Sequence, residues 1–369
     1  MDKNRSGISY QCDLTTKNKE RSSLKFDSLV ILCDGNKKVG LGHFYRCLHL
    51  AHSLFKQFNI SILWIGNIDN EQIRYLKYIG HQFDYSNNFD CSVSRITSLS
   101  KRLVLVDSYL LTLAHLDVIN KHHELCVIDD FGSLDLSSTS TAINFTVDAS
   151  KYNYKAQTNL LGPQYFLCDS RLDNVRDKNI EWHQKTEEKL RVLIAIGGHD
   201  RLTIGPKVAS LFAHSKTTEV TLLGRYDLIP NKHNIKSIDF TNNIPSLYHH
   251  TDLVVSGGGL TKYESAYCAI PNVVLAQTSE QYNESLSFAK SGLCFTVGAS
   301  KVERLSTSKS ANVHPFNWSV QELFDKADKA IQTRKALVTA SRHHFRNSST
   351  HSVAKTIYRK HFLGEKEVE

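Results

Sequence analysis

The fold is decided by LVILCDGNKKVGLGHFYR, residues 29–46. The apolar run 29–33 predicts a buried strand, and Gly40 and Gly42 lie in the loop that follows it. After this loop, apolar residues recur with the period of a helix: Phe44, Cys47, Leu48, Ala51, Phe55 and Phe58. A strand, a glycine-bearing loop and a helix in this order are typical of a ligand site at the carboxyl end of a parallel sheet.

A second stretch, LVVSGGGLTKYE at residues 253–264, has the same order of elements. Its strand and its helix are separated by three glycines, Gly257, Gly258 and Gly259, and these glycines and the following Leu260 are candidates for substrate binding. The backbone N–H groups of such a turn can surround a diphosphate. Glu264 lies one helical turn further on, where a carboxylate can accept hydrogen bonds from a ribose diol. A plain tight turn with an exposed Glu264 is the alternative, but two such turns in one chain favour a nucleotide site.

His43 and Arg46 are the residues of the first stretch that can carry chemistry. The positive end of the helix dipole disfavours a protonated ring at His43, so we expect a neutral imidazole that can act as a base. Arg46 lies one turn later on the same face and can contact a phosphate or a carboxylate. The alternative is a glycine-rich turn with an incidental histidine, since the GxGxxG fingerprint of dinucleotide-binding sites is missing.

Three further loops follow predicted strands and carry candidate binding residues. They are IGGHD at 196–200, SEQYN at 279–283 and VDSY at 106–109. The candidates in them are two glycines, an acid–amide pair and a tyrosine: Gly197, Gly198, Glu280, Gln281 and Tyr109. For each of them, the alternative is an ordinary turn, helix start or cap of the core.

Apolar runs alternate with segments of helical period along most of the chain. The predicted strands are 29–33, 60–64, 103–106, 125–128, 143–147, 192–196, 220–223, 253–255, 273–276 and 293–297. Runs rich in β-branched residues, separated by helix-length segments, indicate parallel sheets that are covered on both faces. We therefore predict an α/β fold with two doubly wound, Rossmann-like domains that face a cleft.

The predicted domain boundaries follow the composition. Residues 1–27 read as a disordered extension, and residues 28–170 as the domain with the catalytic base and the sugar site. The highly charged stretch 171–189 reads as a linker. Residues 190–369 then form the UDP-binding domain with a helical tail.

The composition excludes several classes of protein. The chain has 369 residues, 41% of them hydrophobic, which suits two globular domains and not a disordered chain. No apolar run approaches 18 residues, and the first 26 residues contain no apolar core. We therefore expect no membrane span, no secretory signal and a cytoplasmic location.

The net charge of +8 lies mainly near the ends, with +2 in residues 1–27 and +5 in residues 331–369. A nucleic-acid-binding protein concentrates basic charge on a folded face. We therefore predict no nucleic-acid partner. Weak contact of the basic ends with an acidic membrane surface or with RNA is the alternative.

No metal and no cofactor are predicted. No two of the 8 cysteines are closer than 14 residues, so no CxxC-type metal clip is present. Neither glycine-rich turn carries a DxD or an HxxxH pair. Asp129 and Asp130 follow a predicted strand and are the best counter-candidates, but adjacent residues on an extended chain point in opposite directions.

Several stretches, in this order, resemble the PseG-type proteins: VGLGHFYRCLHLA, VDSYLL, VIDDF, LLGPQYFL, IGGHD and SGGGLTKYESAYCAIPNVVLA. These are UDP-2,4-diacetamido-2,4,6-trideoxy-β-L-altropyranose hydrolases of the pseudaminic-acid pathway, and SpsG-like polysaccharide-synthesis proteins share the pattern. The resemblance covers about residues 28–300. It implies the glycosyltransferase-B fold, a nucleotide sugar bound between the domains and no requirement for a metal.

By motif position, the resemblance implies His43 as the catalytic base, Tyr109 as a sugar-site tyrosine and Glu264 as the acid that holds the uridine ribose. Three positions depart from the family pattern: Ser108 replaces a histidine, His199 a threonine, and Glu280 an asparagine that is a candidate catalytic contact.

We therefore expect a hydrolase that cleaves the anomeric C–O bond of a UDP-linked diacetamido-trideoxy sugar with inversion, in pseudaminic-type (nonulosonic) acid or surface polysaccharide biosynthesis. A glycosyltransferase of the same fold would use the same base and the same diphosphate turn, so this alternative stays open. A non-catalytic relative that binds a nucleotide sugar is the third possibility. The expected partner is the UDP-sugar, and we expect a monomer or a weak homo-oligomer.

Overall fold

The chain folds into two α/β domains, each built on a parallel sheet, as the sequence predicts. The computed structural model describes residues 24–36, 40–181, 189–197, 200, 203–298 and 318–365. None of the described helices combines the length and the apolar character that crossing a membrane requires. Every predicted strand is present, and three strands that the sequence analysis did not predict complete the two sheets.

The first domain contains a seven-stranded parallel sheet. Its strands are β1 (Ser28–Cys33), β2 (Ser61–Gly66), β3 (Gln82–Tyr85), β4 (Leu103–Asp107), β5 (Glu124–Ile128), β6 (Thr141–Asn144) and β7 (Thr158–Leu161). They lie in the order β3-β2-β1-β4-β5-β6-β7, which reverses direction between β1 and β4. Residues 29–33 of β1 are at most 1% exposed, because neighbouring strands and both faces of the sheet cover them. Ligands bind at such reversal points in open α/β sheets.

Four helices accompany this sheet: α1 (Gly42–Phe58), α2 (Asn70–Tyr78), α3 (Phe89–Thr97) and α4 (Leu113–Asn120). The predicted apolar stripe of α1 packs inward, and Phe44, Cys47 and Ala51 are fully buried. Because α1 starts directly after the loop that follows β1, its first turn lies at the reversal point of the sheet.

The predicted linker contains a helix, α5 (Leu172–Ile180). Leu172 and Val175 are at most 1% exposed, so this charged segment still contributes to the core. Arg176 donates a hydrogen bond from Nη1 to the carbonyl of Tyr267 in the second domain, at 2.9 Å. Part of the segment is therefore a packed element between the two domains and not an extended connection.

The second domain contains a six-stranded parallel sheet. Its strands are β8 (Leu190–Ala195), β9 (Thr218–Leu223), β10 (Ile235–Ile238), β11 (Leu253–Ser256), β12 (Asn272–Leu275) and β13 (Phe295–Val297). The helices that follow α5 are α6 (Ile204–Phe212), α7 (Ile244–Tyr248), α8 (Leu260–Tyr267), α9 (Ser279–Lys290), α10 (Val320–Gln332), α11 (Arg334–His344) and α12 (Thr350–Ile357). The strand order is β10-β9-β8-β11-β12-β13, so the reversal point lies between β8 and β11.

The C-terminal helix α12 packs against the first domain, which corrects the assignment of the whole stretch 190–369 to the second. Just after α12, the ring of Tyr358 stacks on Phe58 of α1 with their centroids 4.1 Å apart. His361 Nε2 lies 2.8 Å from the hydroxyl of Thr141 at the start of β6. The helical pattern of the tail was visible in the sequence, but an apolar stripe does not reveal which sheet it covers.

The predicted disordered extension also needs a correction at its end. Phe26 is 4% exposed, and its ring meets that of Phe362 edge-on at a centroid distance of 6.3 Å. The N–H of Lys25 donates to the carbonyl of Phe362 at 2.8 Å. The first domain therefore begins before residue 28, and residues 1–23 lie outside the described part of the chain.

Candidate functional site

The reversal points of the two sheets line a common cleft of about 2010 Å³. The loops after β1 and β4 line it from the first domain, and the loops after β8 and β11 line it from the second. The two glycine-rich turns approach each other here, since a Cβ atom placed on Gly42 would lie 3.9 Å from the side chain of Leu260. Usual ligand pockets measure roughly 300–1,000 Å³, so this cleft has room for a nucleotide sugar and a second molecule.

His43 lies in the first turn of α1, is 5% exposed and lines the cleft. Its Nδ1 lies 2.6 Å from Oδ1 of Asp107, the last residue of β4. The two residues meet because β1 and β4 are neighbours, which brings the start of α1 to the end of β4. Among the described residues, Nε2 of His43 has no hydrogen-bond partner. The carboxylate favours the tautomer with the proton on Nδ1, which leaves the lone pair of Nε2 for a substrate.

Arg46 lies beside His43 and is held by two carboxylates. Its Nε and Nη2 donate to Asp107 at 2.5 and 2.6 Å, and its Nη1 donates to both oxygens of Asp130 at 2.9 and 2.7 Å. The side chain is 4% exposed, and the guanidinium also lies 5.3 Å from the centre of the Phe145 ring. Of the two partners that the sequence allows for Arg46, a phosphate or a carboxylate, the structure shows carboxylates, and these contacts hold Arg46 against Asp107 and Asp130.

The charge of Asp107 is fixed by these neighbours. Burial alone would raise the pKa of this carboxyl, but the guanidinium of Arg46 and the ring of His43 hold the pKa well below its ordinary value. Asp107 is therefore a carboxylate at neutral pH and can accept the Nδ1–H of His43 throughout a reaction.

Tyr109 follows Asp107 by two residues and forms one wall of the cleft next to His43. The two rings meet edge-on with their centroids 4.4 Å apart, and the ring of Phe131 lies 5.5 Å from that of Tyr109. Tyr109 is 62% exposed, Leu110 55% and Phe131 40%. We call these three residues the apolar rim. They place an unpartnered apolar surface directly beside the candidate base.

Ser108, which departs from the family pattern, donates a hydrogen bond to Oδ2 of Asp34 at 3.4 Å. Asp34 is 7% exposed at the end of β1 and also accepts from the N–H of Asn67 at 3.3 Å. Burial raises the pKa of Asp34. Ser108 is thus part of the wall between β1 and β4, and its hydrogen bond goes to Asp34.

The glycine turn of the second domain is shaped by the end of β8. A Cβ atom on Gly257 would come within 1.9 Å of the carbonyl oxygen of Ile196, so only glycine fits at this position. Gly258 has a φ of +87°, a conformation that glycine adopts readily. Gly259 precedes the first residue of α8, and no side chain caps this helix. The N–H of Lys262 donates to the carbonyl of Gly259 at 3.3 Å. Among the described residues, the N–H groups of Leu260 and Thr261 have no such partner, and they are available to an anion.

Of the three remaining predicted glycines, the structure describes Gly40 and Gly197. Gly197 lines the cleft with a φ of +131° and open space where a Cβ atom would be. Gly40 has a φ of +93°, and its N–H donates to the carbonyl of Asn36 at 2.8 Å. Gly198 and His199 lie outside the described residues.

Lys262, in the first turn of α8, is a buried cation that the sequence analysis missed. It is 1% exposed, its Nζ donates to the carbonyl of Gly258 at 2.6 Å, and the same Nζ contacts the carboxylate of Glu284 in α9. Burial lowers the pKa of Lys262 to about 7, while the charges of Cys294 and Asp130 act in the opposite direction.

Glu264 lies two residues further along α8 and also lines the cleft. The hydroxyl of the buried Tyr248 donates to its Oε2 at 2.9 Å. Burial raises the pKa of Glu264 to about 7. A buried carboxylate lowers the stability of the fold. Side chains with such shifted pKa values are typical of ligand-binding sites.

Gln281 and Glu280 reach the cleft from the first turn of α9. The Oε1 of Gln281 accepts from the N–H of Gln277 at 2.9 Å, and its Cβ lies 3.1 Å from where a Cβ atom of Gly258 would be. Gln281 thus braces the glycine turn. Glu280 is exposed at the edge of the cleft.

Sequence analysis therefore missed Asp107 and Asp130 as partners of Arg46, and Lys262 as a partner of the glycine turn. A signal for Asp107 was present: it ends the run LVLVD, where a polar residue closes a fully buried strand. Asp130 follows a buried strand as well, but this position alone does not identify Arg46 as its partner. No such signal exists for Lys262, because a buried and a solvated lysine look the same in a helical sequence.

Within the described part of the chain, no group of three His, Cys, Asp or Glu side chains is arranged to hold a metal ion. Of the predicted counter-candidates, Asp130 binds Arg46. Oδ1 of Asp129 accepts from the N–H of Phe131 at 3.0 Å, while its buried Oδ2 has no hydrogen-bond partner among the described residues.

No family model matches the chain. Among curated proteins, an uncharacterized protein of Methanocaldococcus jannaschii is 25% identical over 280 residues, which cover 69% of this chain and 56% of that protein. The chain thus spans little more than half the length of this relative.

Several solved structures have a fold similar to that of this chain. The chain is similar to a glycotransferase of kitacinnamycin, with a TM-score of 0.61, 13% identity and coverage of 91% of this chain and 99% of that chain. MurG of Acinetobacter baumannii gives a TM-score of 0.56 at 12% identity, with coverage of 90% and 99%. UDP-GlcNAc 2-epimerase from Neisseria meningitidis bound to UDP-GlcNAc gives 0.55 at 13% identity, with coverage of 90% and 98%. At these identities the similarity shows the fold, which is the glycosyltransferase-B fold that the sequence predicts.

Proposed function

We propose that the chain is a nucleotide-sugar hydrolase that releases UDP from a UDP-linked diacetamido-trideoxy sugar, in nonulosonic acid or surface polysaccharide biosynthesis. The observation that carries this proposal is the pairing of His43 with Asp107 at the edge of the cleft, opposite the open helix start at Gly259. The nature of the sugar rests on the sequence motifs that resemble PseG-type proteins.

The first domain supplies the base. Nε2 of His43 takes a proton from water while the water oxygen forms a bond to the anomeric carbon. Asp107 accepts the Nδ1–H and stabilises the positive charge that the ring gains, as in other histidine–carboxylate pairs. General-base catalysis of this kind contributes about 10²–10⁴-fold to the rate.

The second domain holds the leaving group. The anomeric C–O bond breaks as the new bond forms, its electron pair stays with the diphosphate of UDP, and attack from the opposite side inverts the anomeric centre. The free N–H groups at the start of α8 and the nearby cation Lys262 meet this negative charge. Glu264 holds the ribose, which fixes the nucleotide relative to His43.

Transfer of the sugar to an acceptor is a second candidate function, which one observation favours. The apolar rim exposes Tyr109, Leu110 and Phe131 beside the base, and water needs no apolar surface to bind it. The large cleft also leaves space for an organic acceptor next to a nucleotide sugar.

The two candidates are separated by assaying nucleotide release, of UDP from a panel of UDP-sugars and of CMP from CMP-sugars, with and without sugar or lipid acceptors. We expect release of UDP in water alone, with inversion seen by NMR. Release that depends on an acceptor would instead establish a transferase. Binding without any release would identify a non-catalytic protein and overturn both activities.

A further inference from the structure

Lys262 is a buried cation in a position that disfavours positive charge. It lies in the first turn of α8 and is 1% exposed. The start of a helix favours acidic residues, yet this turn contains none. Burial and the helix dipole thus both oppose an ammonium group here, so its retention needs contacts that offset this cost.

Those contacts connect Lys262 to the glycine turn. Its Nζ donates to the carbonyl of Gly258 at 2.6 Å and contacts the carboxylate of Glu284, which also accepts from the hydroxyl of Tyr263. The Nζ lies 5.3 Å from the centre of the Tyr263 ring. The ammonium is therefore fixed in one place, between the turn and α9.

Fixing the carbonyl of Gly258 also fixes the next N–H group. A trans peptide is planar, with its C=O and N–H pointing in opposite directions. Since the carbonyl of Gly258 points to the buried Nζ of Lys262, the N–H of Gly259 points away from it. Gly259 lines the cleft and has open space on the side where a Cβ atom would be.

We propose that Lys262 is a positioning residue for the diphosphate: it holds the peptide between Gly258 and Gly259 so that the N–H faces the cleft, and it adds a positive charge behind the turn. This inference rests on the proposed function, because it assumes a nucleotide diphosphate at the start of α8. It assigns the diphosphate group, and neither the nucleoside nor the sugar, to Lys262.

The test compares binding of UDP and of uridine to Lys262→Met by isothermal titration calorimetry. Methionine keeps the length of the side chain but removes the donor and the charge. We expect the Kd of UDP to rise about tenfold or more, and the Kd of uridine to stay unchanged. A defect in the domain as a whole would weaken both ligands equally, and that result would overturn the proposal.

Lys290→Met is the matched control, since Lys290 is exposed at the end of α9 and its loss changes the net charge equally. Should Lys262→Met fail to fold by circular dichroism, Lys262→Gln removes the charge and keeps a shorter donor. We then expect a smaller rise in the Kd of UDP, and again no change in the Kd of uridine. A folded variant that binds UDP like the wild type would overturn the role of Lys262 alone. A wild type whose affinity for UDP is no higher than for uridine would overturn the proposed diphosphate site as well.

Discussion

Each domain has a glycine-rich turn at the point where the strand order of its sheet reverses, but the charged side chains near the two turns have different partners. In the first domain, His43, Arg46, Asp107 and Asp130 form a network in which each charged side chain has a partner. In the second domain, the helix start at Gly259 has no cap, and the cation behind it contacts the turn itself. In the first domain, the charged side chains next to the glycine-rich turn are thus paired with each other. In the second domain, the glycine-rich turn still has donors that are available to an anion.

This difference suits a base in the first domain and a diphosphate site in the second. A base must be oriented and its charge stabilised, which requires a fixed carboxylate next to it. A diphosphate carries its own charge and needs donors that are not already used. Variants in the first domain should therefore change the rate at constant nucleotide affinity, and variants in the second should change affinity.

Replacement of His43 should have the largest effect. His43→Ala removes the base, so we expect turnover of the UDP-sugar to fall about 10²–10⁴-fold while the Kd of UDP stays within a factor of about two. Steady-state kinetics and calorimetry measure the two quantities. His115→Ala is the matched control, because His115 also pairs with an aspartate, Asp90, at 2.9 Å but lies outside the cleft. Unchanged turnover in His43→Ala would remove His43 from the reaction.

Replacement of Asp107 should have the next largest effect. Asp107→Asn leaves His43 without its carboxylate and Arg46 with only Asp130, so we expect turnover to fall at least about a hundredfold. Breaking this buried pair should also lower the free energy of unfolding by about 3–5 kcal/mol. Chemical denaturation and kinetics measure both.

Asp130→Asn separates the two roles of the network. It removes a carboxylate from Arg46 but leaves the contact between Asp107 and His43. We expect a loss of stability with a smaller loss of turnover than in Asp107→Asn. If the two variants lost turnover equally, Asp107 would act only through Arg46 and not through His43.

Glu264→Gln tests the second domain and should have a smaller effect. The loss of a charged partner for the ribose should raise KM for the UDP-sugar about tenfold, with little change in kcat. An unchanged KM would remove Glu264 from the nucleotide site.

The same variant should be more stable than the wild type above neutral pH. Burial raises the pKa of Glu264 from an ordinary 4.5 to about 7. The folded state therefore holds a proton that the unfolded state releases, and stability falls as the pH rises from 4.5 to 7. Glutamine carries no charge at any pH. At pH 8 we therefore expect the free energy of unfolding of Glu264→Gln to exceed that of the wild type by about 1–3 kcal/mol, which raises the Tm by a few degrees. At pH 4.5 the two should melt together.

The sequence predicted the central strands of both sheets and missed three edge strands for a physical reason. β3 (QFDY), β7 (TNLL) and β10 (IKSI) lie at the outer edges of the sheets. An edge strand has a neighbour on one side only, so it need not read as a continuous apolar run. The buried strands β1 and β4 do read in this way, and they are the strands that position the site.

The sequence predicts the parts of the candidate site that depend on one short stretch, and not the contacts between distant residues. His43, Gly258 and Gly259 were singled out from local loop patterns, and the structure places all three at the cleft. For Arg46 the sequence left a phosphate and a carboxylate as possible partners, because Asp107 and Asp130 are 61 and 84 residues away along the chain.

The smallest effect is expected from removal of divalent cations. If the N–H groups and Lys262 at the glycine-rich turn of the second domain stabilise the charge of the diphosphate, no divalent cation is needed to bridge the two phosphates. The donors available there are backbone N–H groups and the ammonium group of Lys262, which do not bind metal ions. The carboxylate of Glu284, next to the turn, already contacts Lys262. We therefore expect turnover in excess EDTA to match turnover in buffer with Mg²⁺.

Measuring turnover after dialysis against EDTA, and again after addition of Mg²⁺ or Mn²⁺, would sharpen this point. Loss of activity that either ion restores would mean that the second turn does not neutralise the leaving group alone. The first-domain carboxylates Asp129 and Asp130 would then be the candidate ligands, and Arg46 would have to release Asp130 for the ion to bind. The distinction between a catalytic first turn and a binding second turn would fail with that result, because one network would serve both purposes.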